Sequence, residues 1–349
     1  MSQIKSLKAS SLVKNTRITF SLIVTKIIPL TKGKEINMSR RNSKRTSFIK
    51  RKFKRTSNRK LSIHDIQVLD FLWTWKVANF AMLVQVGYSK KSSWWAYKAI
   101  RQLQKEKYIQ ALPRGKYLDH EVFALTNLGF EVVLMDRDDI VEYRYRPHAP
   151  AHDYFATCLQ LGDLWQSHWD KVFFTEQMLA SLRRSNFPKD YVRDEGHVPD
   201  GITTLSCGLK QMTFGLEVDL NLKDRERYRD TFGYYESLPD IQYVFWLIRN
   251  DWMFEKILQM HSEFYFRREL SAFLFIRLDD FKKDFWNAKI IHGKFKGHSI
   301  CKVYENAMQS LGKTNASLGQ NTSRAIFFKT TKSPQISTRS ESDNETKIL

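Results

Sequence analysis

The run Leu216-Glu217-Val218-Asp219-Leu220-Asn221-Leu222-Lys223 alternates apolar and polar residues without a break. Successive side chains of a β-strand point to opposite faces, so this period of two predicts a strand with one apolar face and one face carrying Glu217, Asp219, Asn221 and Lys223. A turn near Gly208 joins it to a second strand over residues 202–207, which opens on Pro199-Asp200-Gly201. Antiparallel pairing of the two would bring Asp200 beside Glu217. Carboxylates gathered in this way repel one another unless something positive lies between them. Oxygen ligands suit Mg²⁺ or Mn²⁺, which would bridge Asp200, Glu217 and Asp219 and polarise a phosphodiester. An edge strand with a solvated polar face would show the same alternation, although the apolar neighbours here favour a central strand.

Around this pair the chain alternates helices and strands. Helical patterning covers residues 152–168, a short strand 171–175, a charged helix 224–238, an apolar strand 241–248, a helix 251–263 and a further apolar strand 270–277. That order predicts an α/β (α+β) class for residues 147–311, a mixed sheet covered by helices. His152 stands near the start of the first helix, either as a site residue or as a capping or packing residue. His197 precedes the Pro-Asp string and could contact phosphate, order the aspartate or sit in a plain loop. Pro150 lies between His148 and His152 and argues against a two-histidine metal motif.

Residues 61–146 read as a separate module. Ser62 with Asp65 three positions on is a capping-box pattern, opening a helix through Ile66, Leu69 and Leu72. A second short helix is expected over residues 77–86, broken by Gly87. A third begins near Lys90 with Ser92 or Ser93 as its cap, and Ala96, Ala99, Ile100 and Leu103 form its apolar stripe. Its opposite face carries Trp94, Tyr97, Lys98, Arg101 and Lys105, while the helical phase turns at least one of Trp94 and Trp95 partly inward, with a core role and base contact equally open for them. Two strands joined by Pro113-Arg114-Gly115-Lys116 then lead to another helix at Asn127. Three helices and a basic hairpin predict a winged helix. Lys90, Lys91, Tyr97, Lys98 and Arg101 would address a DNA groove, and Arg114 and Lys116 the backbone. A winged helix used for protein contacts is the alternative.

The charge is unevenly placed. Residues 1–60 hold 18 Lys and Arg against the single acid Glu35, leaving 39 bases against 36 acids in the rest of the chain. Eleven of those cations fall between Ser39 and Lys60 with almost no bulky apolar residue, so the segment reads as a solvated arm for neutralising phosphates or as a solubility tail. Residues 312–349 are rich in Ser and Thr and read as a disordered tail. Cys158, Cys207 and Cys301 are odd in number and far apart, which points to a reducing, cytoplasmic compartment. The longest apolar stretch near the start, residues 18–30, includes Lys26 and Pro29 and is shorter than the roughly 20 residues that a membrane helix needs.

His197-Val198-Pro199-Asp200, the following hairpin and Leu216-Glu217-Val218-Asp219 through Lys223 resemble the motif core of the PD-(D/E)xK nuclease superfamily. With the winged helix in front and His152-Asp153 opening the linking helix, the order of modules is similar to the replication-relaxation family, which includes the mobilisation-protein-C class of plasmid relaxases. The resemblance spans residues 61–250. It implies a protein of mobile DNA that binds the duplex of a plasmid origin region, acts with relaxosome accessory proteins, and nicks one strand at a restriction-enzyme-like site using Mg²⁺ or Mn²⁺. Asp200, Glu217, Asp219, Lys223 and His152 would be its catalytic set. One position departs from the superfamily pattern: Asp219 stands where the lysine is usual. Lys223 has the right parity but lies four residues further on, and reaches the site only if the strand end curls back. A non-catalytic origin-binding or regulatory protein built on a degenerate nuclease scaffold is the competing expectation.

Overall fold

The computed structural model describes residues 61–137, 149–183, 196–264, 266–313 and 316–318. The basic arm, the linker holding His148 and almost all of the Ser/Thr-rich tail lie outside the described residues.

Helix α1 (Ile63–Trp75) starts where the sequence places it. Ser62 Oγ accepts from the Asp65 N–H at 3.2 Å, and the Asp65 carboxylate accepts from the Ser62 N–H at 2.9 Å. Asp65 is buried and also accepts from the Tyr88 hydroxyl at 2.7 Å, which ties the helix start to the next connection. The expected helix over 77–86 is shorter than the sequence suggests. Strand β1 (Ala78–Asn79) comes first and α2 (Phe80–Gly87) follows, because the Asn79 side chain caps α2 by accepting from the Met82 N–H at 2.8 Å. An N-cap residue is extended, so the chain before it cannot be helical. Helix α3 (Ser93–Lys105) is capped by Ser92 and buries Ala96, Ala99, Ile100 and Leu103. Strands β2 (Ile109–Leu112) and β3 (Val122–Leu125) pair antiparallel, β1 adds to β3, and α4 (Asn127–Asp136) closes the module.

The rest of the described chain carries the larger sheet. Helix α5 (Pro150–Leu161) has proline in its first turn and breaks at Gly162, seven residues short of the expected end. Then come β4 (Asp170–Thr175), α6 (Glu176–Arg183), β5 (Gly201–Cys207), β6 (Lys210–Asp219), α7 (Arg225–Glu236) and β7 (Ile241–Ile248). Next are α8 (Asp251–Glu263), β8 (Phe273–Arg277), α9 (Leu278–Asp284) and α10 (Ile300–Ser310). The strand order is β4-β5-β6-β7-β8, antiparallel across the first three and parallel across the last three. The architecture is therefore mixed α and β with two sheets, and β6 is central. Its odd and even residues part as the alternation requires. Leu216 and Val218 join a cluster with α5 and α10, while Glu217 and Asp219 face the side of Tyr235 and Trp246.

Strand β6 nevertheless ends at Asp219, so Asn221 and Lys223 are not on the strand and Leu222 is exposed instead of packed. The chain must turn here because Asp224 caps α7, accepting from the Arg227 N–H at 2.9 Å. One apolar cluster runs from α1 to α10, with Phe71 stacked on Trp165 at 5.5 Å and Trp75 edge-on to Phe173 at 5.8 Å. Among the described residues, no helix is long and apolar enough to cross a membrane.

Candidate functional site

Strands β5 and β6 pair with Gly201 opposite Leu216, which sets Asp200 next to Glu217 and Val218. The Val218 N–H donates to Asp200 Oδ2 at 2.6 Å, and His152 Nε2 reaches the same oxygen at 3.1 Å from α5. On the adjoining residue, Glu217 Oε1 meets His197 Nε2 at 2.6 Å and accepts from the Tyr235 hydroxyl at 2.7 Å. Gly215 makes the second contact possible: a Cβ there would lie 2.5 Å from the Tyr235 ring, so only glycine lets α7 lay this tyrosine across the strand. Asp219 Oδ2 accepts from the Trp246 indole N–H at 2.8 Å. The Lys223 ammonium returns to within 2.8 Å of Asp219 Oδ1, an ion pair between neighbours four residues apart. The chain past β6 thus curls back far enough for Lys223 to meet Asp219.

The electrostatics follow from burial opposed by neighbours. Burial alone would raise the Asp200 carboxyl, yet the His152 charge and hydrogen bond, Lys223 and the Val218 amide hold it well below the usual carboxylate range. Glu217 is raised, because burial outweighs the help from His197. Burial also opposes the charge on His152, His197 and Lys223, but the carboxylates win and all three are pushed up. Each acid is therefore matched by a cation of the chain itself, which offsets the mutual repulsion of the carboxylates, although Asp200 still helps to raise Glu217.

Two residues of this site carried no signal in the sequence. Lys76, at the end of α1, is buried with φ 61°, a backbone conformation that costs a non-glycine residue about 1–3 kcal/mol. Its ammonium bonds Glu176 and lies 3.6 Å from Asp153 Oδ1. A small open pocket beside it is lined in part by Lys76, Asp153, Thr157, Gln160, Glu176 and Asp200. Tyr235 was hidden among the charges of its helix. A pairing of β5 with β6 can be read from alternation, but a lone lysine ending a distant helix has no pattern to betray it.

Of the residues expected to meet DNA, Lys90, Lys91, Lys98, Arg101, Arg114 and Lys116 are exposed and Tyr97 is half-buried. Trp94 is exposed at 61%, whereas Trp95, at 37%, is turned partly inward against the buried Tyr88, as the helical phase requires. Arg101 donates to Gln104 at 2.7 Å and lies 3.7 Å from Glu121. Arg114 and Lys116 sit on the β2–β3 loop, which is held against the larger sheet. The Lys282 ammonium donates to the Tyr117 carbonyl at 3.3 Å, and the Tyr117 hydroxyl reaches the Leu220 carbonyl at 3.5 Å, just past the end of β6.

Comparison with known proteins adds little. No family model matches the chain, and no curated protein does. A solved structure of a double mutant of Lactococcus lactis ZitR is similar at 16% identity over 29% of this chain and 74% of that chain, with a TM-score of 0.20. A likeness that slight fixes neither fold nor function.

Proposed function

We propose that the chain is a DNA-binding protein of mobile DNA, of the replication-relaxation kind, in which a winged helix over residues 61–146 holds a duplex. Residues 147–311 would then form a PD-(D/E)xK-type domain that nicks one strand at a plasmid origin, in the manner of the mobilisation-protein-C class. The observation that carries this reading is the meeting of Asp200 and Glu217 across β5 and β6, with Lys223 folded back to the same cluster. The proximity of the β2–β3 loop to the end of β6 supports it, because a duplex held by Arg114 and Lys116 would run close to those acids.

The donor set fits a divalent ion in a limited sense. Among the described residues no group of three or more His, Cys, Asp or Glu is arranged to hold a metal by itself. Mg²⁺, however, is commonly held by one or two carboxylates and completed by water and substrate phosphate. Asp200 and Glu217 meet that requirement: both contacts of Asp200 fall on Oδ2, and Glu217 Oε2 is buried without a hydrogen-bond partner. Asp219 does not, since Lys223 and Trp246 occupy it, and we assign it the role of anchoring Lys223. When bound, Mg²⁺ or Mn²⁺ supplies Lewis acidity toward the phosphodiester and toward a water. His152 keeps Asp200 ionised, His197 and Tyr235 fix Glu217, and the Lys223 ammonium stabilises negative charge developing on the attacked phosphate.

The same saturation of acids by cations favours a second reading, an origin-binding protein with a nuclease-like scaffold that no longer cuts. Incubation with supercoiled plasmid carrying an origin region, with Mg²⁺, Mn²⁺ or chelator, separates the two. Nicked circles that depend on metal and vanish in Asp200→Ala support the first. Binding without nicking under every condition leaves the second.

A further inference from the structure

The exposed face of α3 holds three aromatic rings, each covered by a cation. Lys98 Nζ lies 5.1 Å from the Trp94 ring centre, Lys91 Nζ 5.4 Å from that of Trp95, and the Arg101 guanidinium 5.3 Å from that of Tyr97. The buried stripe of this helix is on its other face and Trp94 stands clear of it, while Trp95 leans on the buried Tyr88 and keeps 37% of its surface accessible. Two adjacent indoles, one exposed and one partly so, are more than scattered surface apolar residues. Helix α3 contains no acid, and Lys90 and Lys91 precede it.

Base edges in a groove are read by hydrogen-bonding side chains, and an indole face has no donors or acceptors to offer them. What an indole face can take is the flat face of a base. In an intact duplex those faces are stacked on one another, whereas an unpaired base has its faces free. The cations fit the same occupant, because an ammonium displaced from a ring by a stacking base is already placed to meet that nucleotide's phosphate. Aromatic platforms interleaved with cations are the composition of single-strand sites.

We infer that Trp94 and Trp95, with Lys91 and Lys98, form a stacking site for unpaired DNA bases, so that the protein engages a locally opened strand as well as a duplex. This rests on the DNA-binding part of the proposed function. It assigns to the start of α3 a role different from groove reading.

The test compares a homothymidine oligonucleotide with a duplex of equal length, following intrinsic fluorescence and affinity. A Trp252→Phe background removes the other strongly exposed tryptophan, 52% accessible on α8. Quenching by the oligonucleotide should persist in that background and disappear in Trp94→Ala with Trp95→Ala. The double change should weaken oligonucleotide binding by about 5- to 150-fold per base stacked and leave duplex binding nearly unchanged. Lys98→Gln should lower the oligonucleotide's salt slope without abolishing quenching. Equal losses on both DNAs, or no loss on the oligonucleotide, would overturn the inference while DNA binding stood. A wild-type chain that binds neither probe would remove both the inference and the DNA-binding reading beneath it.

Discussion

The face of α3 and the cluster around Asp200 both place cations against groups that attract them, but they do so in different media. On α3 and just before it the partners are aromatic rings at the surface, with Gln104 and Glu121 also beside Arg101, each contact is weak, and Lys91, Lys98 and Arg101 can leave for a phosphate at small cost. Around Asp200 and Glu217 the acids are almost wholly buried and their cations largely so, so every charge needs its counter-charge in place before the chain folds stably. The first region is organised to exchange partners and the second to hold them. If that contrast is right, substitutions in the two regions should differ in kind: loss of stability or chemistry in the cluster, loss of affinity alone on α3.

The sharpest way to break the comparison is at the acids. Asp200→Ala and Glu217→Ala each remove a proposed metal ligand, and metal-dependent nicking should fall by orders of magnitude while DNA binding persists. Plasmid relaxation and a binding assay on the same preparations check both halves. If the variants nick as the wild type does, the cluster is only structural.

Lys223 comes next. Lys223→Met leaves Asp219 buried with only the neutral Trp246 and Tyr228 beside it, and removal of one member of a buried pair costs about 3–5 kcal/mol. Lys223 is partly exposed, so the lower end is expected, read as the shift in urea midpoint. Adding Asp219→Asn should recover part of the loss. Asp219→Lys, which would restore the usual superfamily spacing, sets a second ammonium against Lys223 and should destabilise further. A Lys223→Met chain as stable as the wild type would show that the ion pair holds nothing.

A smaller effect is expected from pH, because every partner stays in place. The folded pKa values of His152 and His197 are raised, so their contribution is complete below about pH 6.5 and is lost as pH rises through the folded values. Asp200 is lowered, and its contribution is present above about pH 3.9 and lost as pH falls. Glu217, being raised, also favours the folded state on the acid side. In chelator, the urea midpoint should therefore be greatest between about pH 4 and 6.5 and should decline through neutrality. His152→Gln together with His197→Gln should flatten the alkaline decline. An unchanged decline would place its cause elsewhere.

How much of this could be read beforehand differs between the two regions. The buried stripe of α3 follows from spacing at three and four residues, and β7 and α8 fall where periodicity puts them. The alternation through Glu217 and Asp219 likewise fixes which side chains share a face, since that depends only on neighbours in the chain. The end of β6 at Asp219 was not legible, because a tertiary event sets it: Asp224 capping α7 and Lys223 turning back. Lys76 and Tyr235 were hidden for the same reason, as each is brought to the cluster by packing between distant elements. Local pattern located the acids and singled out His152, His197 and Lys223, and packing decided which acid each of them meets.

The smallest effects should come from α3, and they test the other half of the contrast. Lys98 is exposed and its contact with Trp94 is in water, so Lys98→Gln should change stability by no more than about 0.5 kcal/mol. Its loss should instead appear as a salt slope for DNA binding lower by about 0.9 if its ammonium reaches a duplex phosphate. Arg101→Ala should be equally mild for stability, because its partners Gln104 and Glu121 remain in contact with water. If Arg101 leaves them for a guanine, sequence discrimination should relax by about 1–3 kcal/mol, measured as the ratio of affinities for origin and random duplex. An equal loss on both duplexes would make it a phosphate contact. A large loss of stability from either substitution would mean that the cations on α3 are held as firmly as those around Asp200, and the distinction between the two regions would fail.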